Sequence, residues 1–218
     1  MKMVDDTKFQ IILTALQEFG LLLESDKNLP SVTRLVAGEV VSGSWWQHPK
    51  SQQIFCTLQE LDDHADVLIT KLISGKVTFV HRDLWPAVLA VARAREPWQV
   101  NGLSPGGKTL LEMIDQKRSL LTNALEWPSS LKSQKPGDVV RELEKRLLIY
   151  TEEFHTQTGA HAKKLQSWDE WRRHSGLTGR AMRLNEAKRK IESRVAAMNK
   201  RFASKATVPW SARGDAKE

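Results

Sequence analysis

The stretch from Val67 to His81 constrains this chain more than any other. Val67–Ile73 and Lys76–His81 are dense in Val, Ile, Thr and Phe, and only Ser74 and Gly75 separate them. Two such runs joined by two residues, with Gly where positive φ is needed, specify a β-hairpin. A Ser74–Gly75 turn places Leu72 opposite Val77, Thr70 opposite Phe79 and Leu68 opposite His81 on one face, with Lys71 facing Thr78 and Ile73 facing Lys76 on the other. Lys71, Lys76 and Thr78 then gather near the tip.

The sequence before the hairpin has helical periodicity. Phe9, Ile12, Leu13, Leu16, Phe19 and Leu23 predict a first helix over residues 8–24, weakened at Gly20. Pro30 and Ser31 open a short second helix over 31–37, which Gly38 stops. Pro49 and the apolar face Ile54, Phe55, Leu58 and Leu61 predict a third helix ending near Leu61. After the hairpin, residues 84–95 predict a helix stopped by Pro97, and Ser104 and Pro105 open another over about 103–124.

Three helices followed by a hairpin with a basic tip is an order that resembles the winged-helix DNA-binding domains, over residues 8–82. The resemblance implies that the third helix lies in a major groove with Lys50, Gln52, Gln53 and Thr57 on its polar face, where Gln pairs bidentately with adenine. It also implies that Lys71 and Lys76 meet a phosphate. The alternative is a winged helix used only as scaffold or for protein contacts.

Charge supports a polyanionic partner. The 218 residues carry 33 Lys and Arg against 26 Asp and Glu, a net +7. The excess is C-terminal: up to Ala162 there are 18 basic and 20 acidic residues, and beyond it 15 basic and 6 acidic. Lys188, Arg189 and Arg194 lie in this region and suit a phosphate backbone, although a long helix also keeps such residues on its solvated face. Ile11–Leu23 is interrupted by Thr14, Gln17, Glu18 and Gly20, so neither a signal peptide nor a membrane span is expected, and the default location is the cytoplasm. A single cysteine, Cys56, excludes an internal disulfide framework.

Residues 128–137, rich in Pro, Ser, Lys and Gly, read as a linker. Beyond it Val140, Leu143, Leu147, Tyr150 and Phe154, then Leu165 and Trp168, predict one helix over 138–173. A second helix, capped by Thr178, carries the stripe Leu184, Ala187, Ile191, Val195, Met198 and Phe202. The expected chain is therefore mainly α with one β-hairpin. It has a winged-helix-like domain with extra helices (1–127), a linker (128–137), a basic antiparallel helical hairpin (138–202) and a flexible tail (203–218).

Several constellations bear on chemistry. Gly102, Gly107, Lys108 and Thr109 match the spacing of a phosphate loop, but that motif needs flanking parallel strands that the pattern lacks. A helix start with a Gly-rich lead-in is the competing reading. In the polar run 151–164, Glu152 or Glu153 with His155, together with His161, are candidates for acid–base work on a helix face, or a polar notch satisfied by a neighbour. Trp45, Trp46 and His48 combine large aromatics with a cation-capable ring for stacking on a base, or pack into neighbouring cores. His81 and Arg82 leave the hairpin where either reaches a phosphate or pairs with Asp83.

No cofactor and no metal is read from these patterns. The reading is a DNA-binding protein, with RNA as another nucleic-acid partner. One alternative is a DNA-repair or nucleic-acid-processing enzyme on the same scaffold. The other is an adaptor that dimerises or meets a protein partner through its C-terminal helices.

Overall fold

Gly20 ends the first helix and turns the three leucines after it into a strand. Its φ of +77° is a left-handed conformation that side chains with a Cβ resist. α1 therefore spans Asp6–Phe19, and Leu21–Leu23 form β1, buried throughout, where the periodicity predicts helix up to residue 24. The computed structural model describes residues 6–155, 161–179 and 181–211. Within them, 6–85 and 188–211 form one unit and 86–187 the other.

In the first unit, α2 (Val32–Ala37) has Ser31 at its N-cap and Gly38 at its C-cap, as the sequence predicts, and α3 spans Ser51–Asp62. β2 (Val67–Ile73) and β3 (Lys76–His81) form the hairpin, and β1 pairs antiparallel with the free side of β3 to give the order β1-β3-β2. Phe9, Ile12 and Leu16 of α1 pack with Val32 and Val36 of α2, Ile54 and Leu61 of α3, and Phe79 of the sheet. This shared core fixes the three helices on the sheet.

The hairpin turn is the expected one, with Ser74 at φ +50°, Gly75 at φ +66° and Ile73 opposite Lys76. Further down, the register differs by one. An irregularity between Thr70 and Ile73 puts Thr70 opposite Thr78, Ile69 opposite Phe79 and Val67 opposite His81. Thr78 explains why the bulge is tolerated. Its hydroxyl accepts from the Ile73 amide at 3.1 Å and donates to the Lys76 carbonyl at 2.9 Å, so the bulge leaves this amide satisfied.

The last helix, here α9 (Leu184–Phe202), buries Ile191, Val195 and Met198 on the expected stripe, and Phe202 meets Phe19 edge-on at 5.5 Å. The described residues beyond it, 203–211, are held by several contacts, and the rest of the predicted tail lies outside the described residues. Asn199 bonds both the N–H and the carbonyl of Ala206, Val208 is buried, and the Trp210 indole donates to Glu192 at 2.5 Å.

The second unit contains α4 (Trp85–Ala92, whose first residue belongs to the first unit), α5 (Pro97–Val100), α6 (Pro105–Lys117), β4 (Ser119–Leu121), α7 (Pro136–Lys145), β5 (Tyr150–His155), β6 (His161–Gln166) and α8 (Trp168–His174). Its sheet order, β4-β6-β5, repeats that of the first unit, a short strand and then a hairpin whose second strand sits in the middle, but one α-helix, α7, lies between them where the first unit has α2 and α3. Leu110 and Ile114 of α6 pack with Val139, Val140 and Leu143 of α7 and Leu165 of β6.

Two expectations fail here for one physical reason. The helix predicted over 138–173 stops at Lys145, with Leu147 at φ +53°, and residues 150–166 form a β-hairpin instead. Likewise α6 stops at Arg118, φ +65°, short of residue 124. Both breaks fall on side chains that are poor helix terminators in isolation. The C-terminal helical hairpin is thus replaced by a β-hairpin, α8 and α9, and Thr178 lies outside α9, six residues before its first residue. Residues 128–137 lie inside the second unit, where Pro136 occupies a first-turn position of α7. The chain as a whole is mainly helical with two three-stranded antiparallel sheets.

Candidate nucleic-acid interface

On α3, Gln52 and Gln53 are exposed at the first turn, and the Gln52 amide donates to Cys56 Sγ at 3.4 Å. Thr57 is buried, with its hydroxyl returned to the Gln53 carbonyl, so the polar face is narrower than the sequence implies. Lys50 donates to the Ala37 carbonyl at 2.6 Å and serves the C-terminus of α2.

The loop before α3 holds the two adjacent tryptophans in a stack, ring centres 4.0 Å apart. Trp45 is anchored through its indole to Glu24 at 2.8 Å, while Trp46 is 60% exposed and also leans on Phe55. His48 sits beside Glu39 at 3.3 Å and accepts the Lys50 amide. The indoles of Trp45, Trp85, Trp98, Trp127, Trp168 and Trp210 each donate to a protein acceptor, which accounts structurally for most of the tryptophan content. Trp46 presents its ring to solvent.

At the hairpin, Lys76 donates to Asp26 at 2.7 Å, and Lys71 is half-buried. Burial pushes the Asp26 carboxyl up, but the Lys76 hydrogen bond and the Leu29 and Asn28 amides outweigh it and hold Asp26 below its ordinary value. Thr78 is fully buried and committed to the bulge, a correction to its expected place at an exposed tip. Arg82 pairs with Asp66 at 3.2 Å and lies over the Trp85 ring, while His81 Nδ1 accepts the Asp83 amide.

The basic excess of the first unit lies in α9 and the segment after it. Residues 1–85 hold eight basic and eleven acidic residues, whereas 188–214 hold eight basic and one acidic. Lys188 lies over the Trp210 ring, Lys190 donates to the Asp83 carbonyl, Arg194 to the Glu18 carbonyl, and Arg201 pairs with the Glu18 carboxylate. Carbonyl partners leave the charge of Lys190 and Arg194 uncompensated. Arg189 and Lys200 are exposed on the same helix.

In the second unit the carboxylates expected to do chemistry are otherwise engaged. Glu152 accepts from Gln166 at 3.2 Å, and Glu153 pairs with Lys163 at 3.3 Å. They lie on strand β5, so the helical face shared by residues three apart does not form. The backbone register sets His155 opposite His161. The residue that sequence reasoning missed is Glu144, almost fully buried on α7, accepting from Thr151 at 2.7 Å and Lys163 at 2.9 Å. Burial lowers the Lys163 pKa, but Glu144 and Glu153 together more than reverse this and raise it above its ordinary value. A Glu at an inward α7 position seven residues before a Thr was the only available signal.

The phosphate-loop match is filled from within the protein. Glu142 accepts from the Ser104 amide and hydroxyl, at 3.2 and 2.6 Å, and Gln134 accepts from the Gly106 amide at 2.9 Å. A carboxylate therefore occupies this helix start. Among the described residues, no group of three His, Cys, Asp or Glu side chains is placed to hold a metal ion. No helix among them is long and apolar enough to cross a membrane.

A family model described as AlkZ related matches residues 7–208, nearly the whole described chain. The chain belongs to the AlkZ-related family. AlkZ is a DNA-repair-associated protein. No curated protein and no solved structure matches the chain.

Proposed function

We propose that this AlkZ-related protein binds DNA in the service of DNA repair, with its first unit acting as a winged-helix-like module. The reading rests on one observation above all. A helix–strand–helix–helix–hairpin order with sheet order β1-β3-β2 leaves Gln52 and Gln53 exposed on α3, and α9 adds a cationic surface to a unit whose first 85 residues are net acidic. In this reading Gln52 and Gln53 meet base edges. Trp46 stacks on an unpaired or displaced base, and Lys188, Arg189, Arg194 and Lys200 meet phosphates. The repeated sheet order of the second unit supports a related second module in the same chain. Lys76 and Thr78 serve the hairpin itself, and Arg82 pairs with Asp66.

A catalytic version of this function receives less support, because Glu152, Glu153 and Glu144 all have committed partners. The adaptor version loses the long helix over 138–173 on which it depended. Fluorescence-anisotropy titrations with matched duplex, single-stranded and abasic-site DNA at two salt concentrations test the proposal, followed by a gel of the same DNA. Salt-dependent binding with intact DNA is expected. Absence of binding to all three substrates would overturn the reading, and base loss or cleavage would establish the catalytic version.

A further inference from the structure

A cleft of about 540 Å³ opens in the second unit between the end of α6 and α8. Its charged lining consists of Arg118, Arg172, Arg173, Asp115 and Asp169. Each acid is committed elsewhere: Asp115 to Arg95 at 2.6 Å and Asp169 to Arg93 at 2.9 Å. Arg173 pairs with Glu170. Two guanidinium groups of the lining remain without a carboxylate among the described residues. Arg172 donates to the Gly179 carbonyl, at 3.4 Å, and the Arg118 side chain has no ion-pair partner among those residues.

Arg118 is also held in place. Its amide donates to the Ile114 carbonyl at 2.7 Å and its carbonyl accepts the Ser167 amide at 3.0 Å, so its Cα is tied both to α6 and to the residue that caps α8. Its φ of +65° places it at the end of α6, where the helix does not continue. Counting the partners, five arginines meet three acids here, in a concavity within the size range of small-ligand sites.

We propose that this cleft binds a phosphate monoester, as carried by a mononucleotide or by the phosphorylated end of a DNA strand. Guanidinium forks match phosphate oxygens bidentately, and two uncompensated arginines match a group carrying close to two negative charges better than the single charge of an internal diester. This site uses residues of the second unit and none of those named on α3 and α9, and it stands whether or not those surfaces bind DNA.

Isothermal titration of the full chain with deoxyadenosine monophosphate, deoxyadenosine and inorganic phosphate tests it. The monophosphate is expected to bind and the nucleoside not. Arg118→Ala and Arg172→Ala are each expected to weaken binding about tenfold or more, as for loss of a charge-assisted hydrogen bond. Lys108→Ala, at an exposed cation of the same unit outside the cleft, should leave it unchanged. Asp169→Asn, which removes a carboxylate from the lining and releases Arg93, should tighten binding several-fold, a gain that misfolding cannot mimic. Comparing 5′-phosphorylated with 5′-hydroxyl hexanucleotides separates the sources: a preference for the phosphorylated strand assigns the site to strand ends, and binding of the mononucleotide alone assigns it to free nucleotides. Equal binding of nucleotide and nucleoside, no binding of any phosphorylated probe, or affinities unmoved by Arg118→Ala and Arg172→Ala would overturn the proposal.

Discussion

Ser74 and Thr207 are bonded twice: the Ser74 amide donates to the Thr207 carbonyl at 2.8 Å, and the Thr207 amide donates to Ser74 Oγ at 3.2 Å. The tip of the first hairpin is thereby strapped to the segment that follows α9. With buried Val208 and the Trp210–Glu192 bond, this strap is part of the first unit. Val208→Ala is expected to destabilise the protein by about 1–3 kcal/mol, the range for removing buried apolar side-chain atoms. Thr207→Ala, which retains both backbone groups, should cost little. Urea unfolding followed by circular dichroism measures both.

Gly20 and Gly43 separate two effects of a glycine. Both have positive φ, +77° and +78°, but a Cβ on Gly20 would lie 3.0 Å from Leu84 Cδ1, whereas Gly43 faces open space. Gly43→Ala should cost only the backbone penalty, about 1–2 kcal/mol. Gly20→Ala should cost measurably more in the same unfolding experiment, because Leu84 is buried and must shift.

DNA binding, if it runs through α9, has a defined salt signature. The triple change Lys188→Glu, Arg189→Glu and Lys200→Glu should weaken duplex binding and flatten the slope of log K against log salt by roughly one for each phosphate left without its cation. Gln52→Ala with Gln53→Ala should leave that slope alone and reduce discrimination between duplex sequences. A slope unmoved by the triple change would remove α9 from the interface.

The buried Glu144 and the exposed Glu153 share Lys163 but should not be equivalent. Glu144 is 7% exposed and Glu153 64%. Glu144→Gln is expected to cost about 2–4 kcal/mol, as when one partner of a buried pair is removed, and Glu153→Gln below about 1 kcal/mol. Denaturant midpoints of the two variants give the comparison.

Asp26 and Lys163 make opposite predictions about pH. Asp26 is held below its ordinary value, so its contribution to stability is present above the carboxylate range and is lost as pH falls through its folded value. Lys163 is held above its ordinary value, so its contribution is present below the usual lysine range and is lost as pH rises through its folded value. The stability difference between wild type and Asp26→Asn should therefore shrink in acid, below about pH 4. That between wild type and Lys163→Gln should shrink only in strong alkali.

What the sequence made legible follows from where helices end on conventional residues. Ser31 and Gly38 bracket α2, and Ser74–Gly75 make the turn, so both were readable. Leu147 and Arg118 adopt left-handed conformations without being glycine, so the apolar periodicity ran on past the true ends of α7 and α6. The same blindness hid the β4-β6-β5 sheet, and with it the pairing of Glu144 with Lys163. Thr70 opposite Thr78 shows a further limit, since the bulge is supported by a side-chain bond that no alternation pattern reports. The exposure of Gln52, Gln53 and Trp46 was readable, because it follows from amphipathic spacing and from an aromatic loop. The arginine cleft escaped because its members come from positions more than fifty residues apart, Arg118 and Arg172.

The first unit is closed by both ends of the described chain, while the described second unit lies within the single run Pro86–Ala187. On a ribosome, which releases sequence from the N-terminus, the second unit is complete while the first still lacks α9 and the strap at Ser74. Until those arrive, the first 85 residues carry more acidic than basic side chains. The balance of that unit turns basic only with α9 and the segment after it, since residues 188–214 hold eight basic side chains and one acidic.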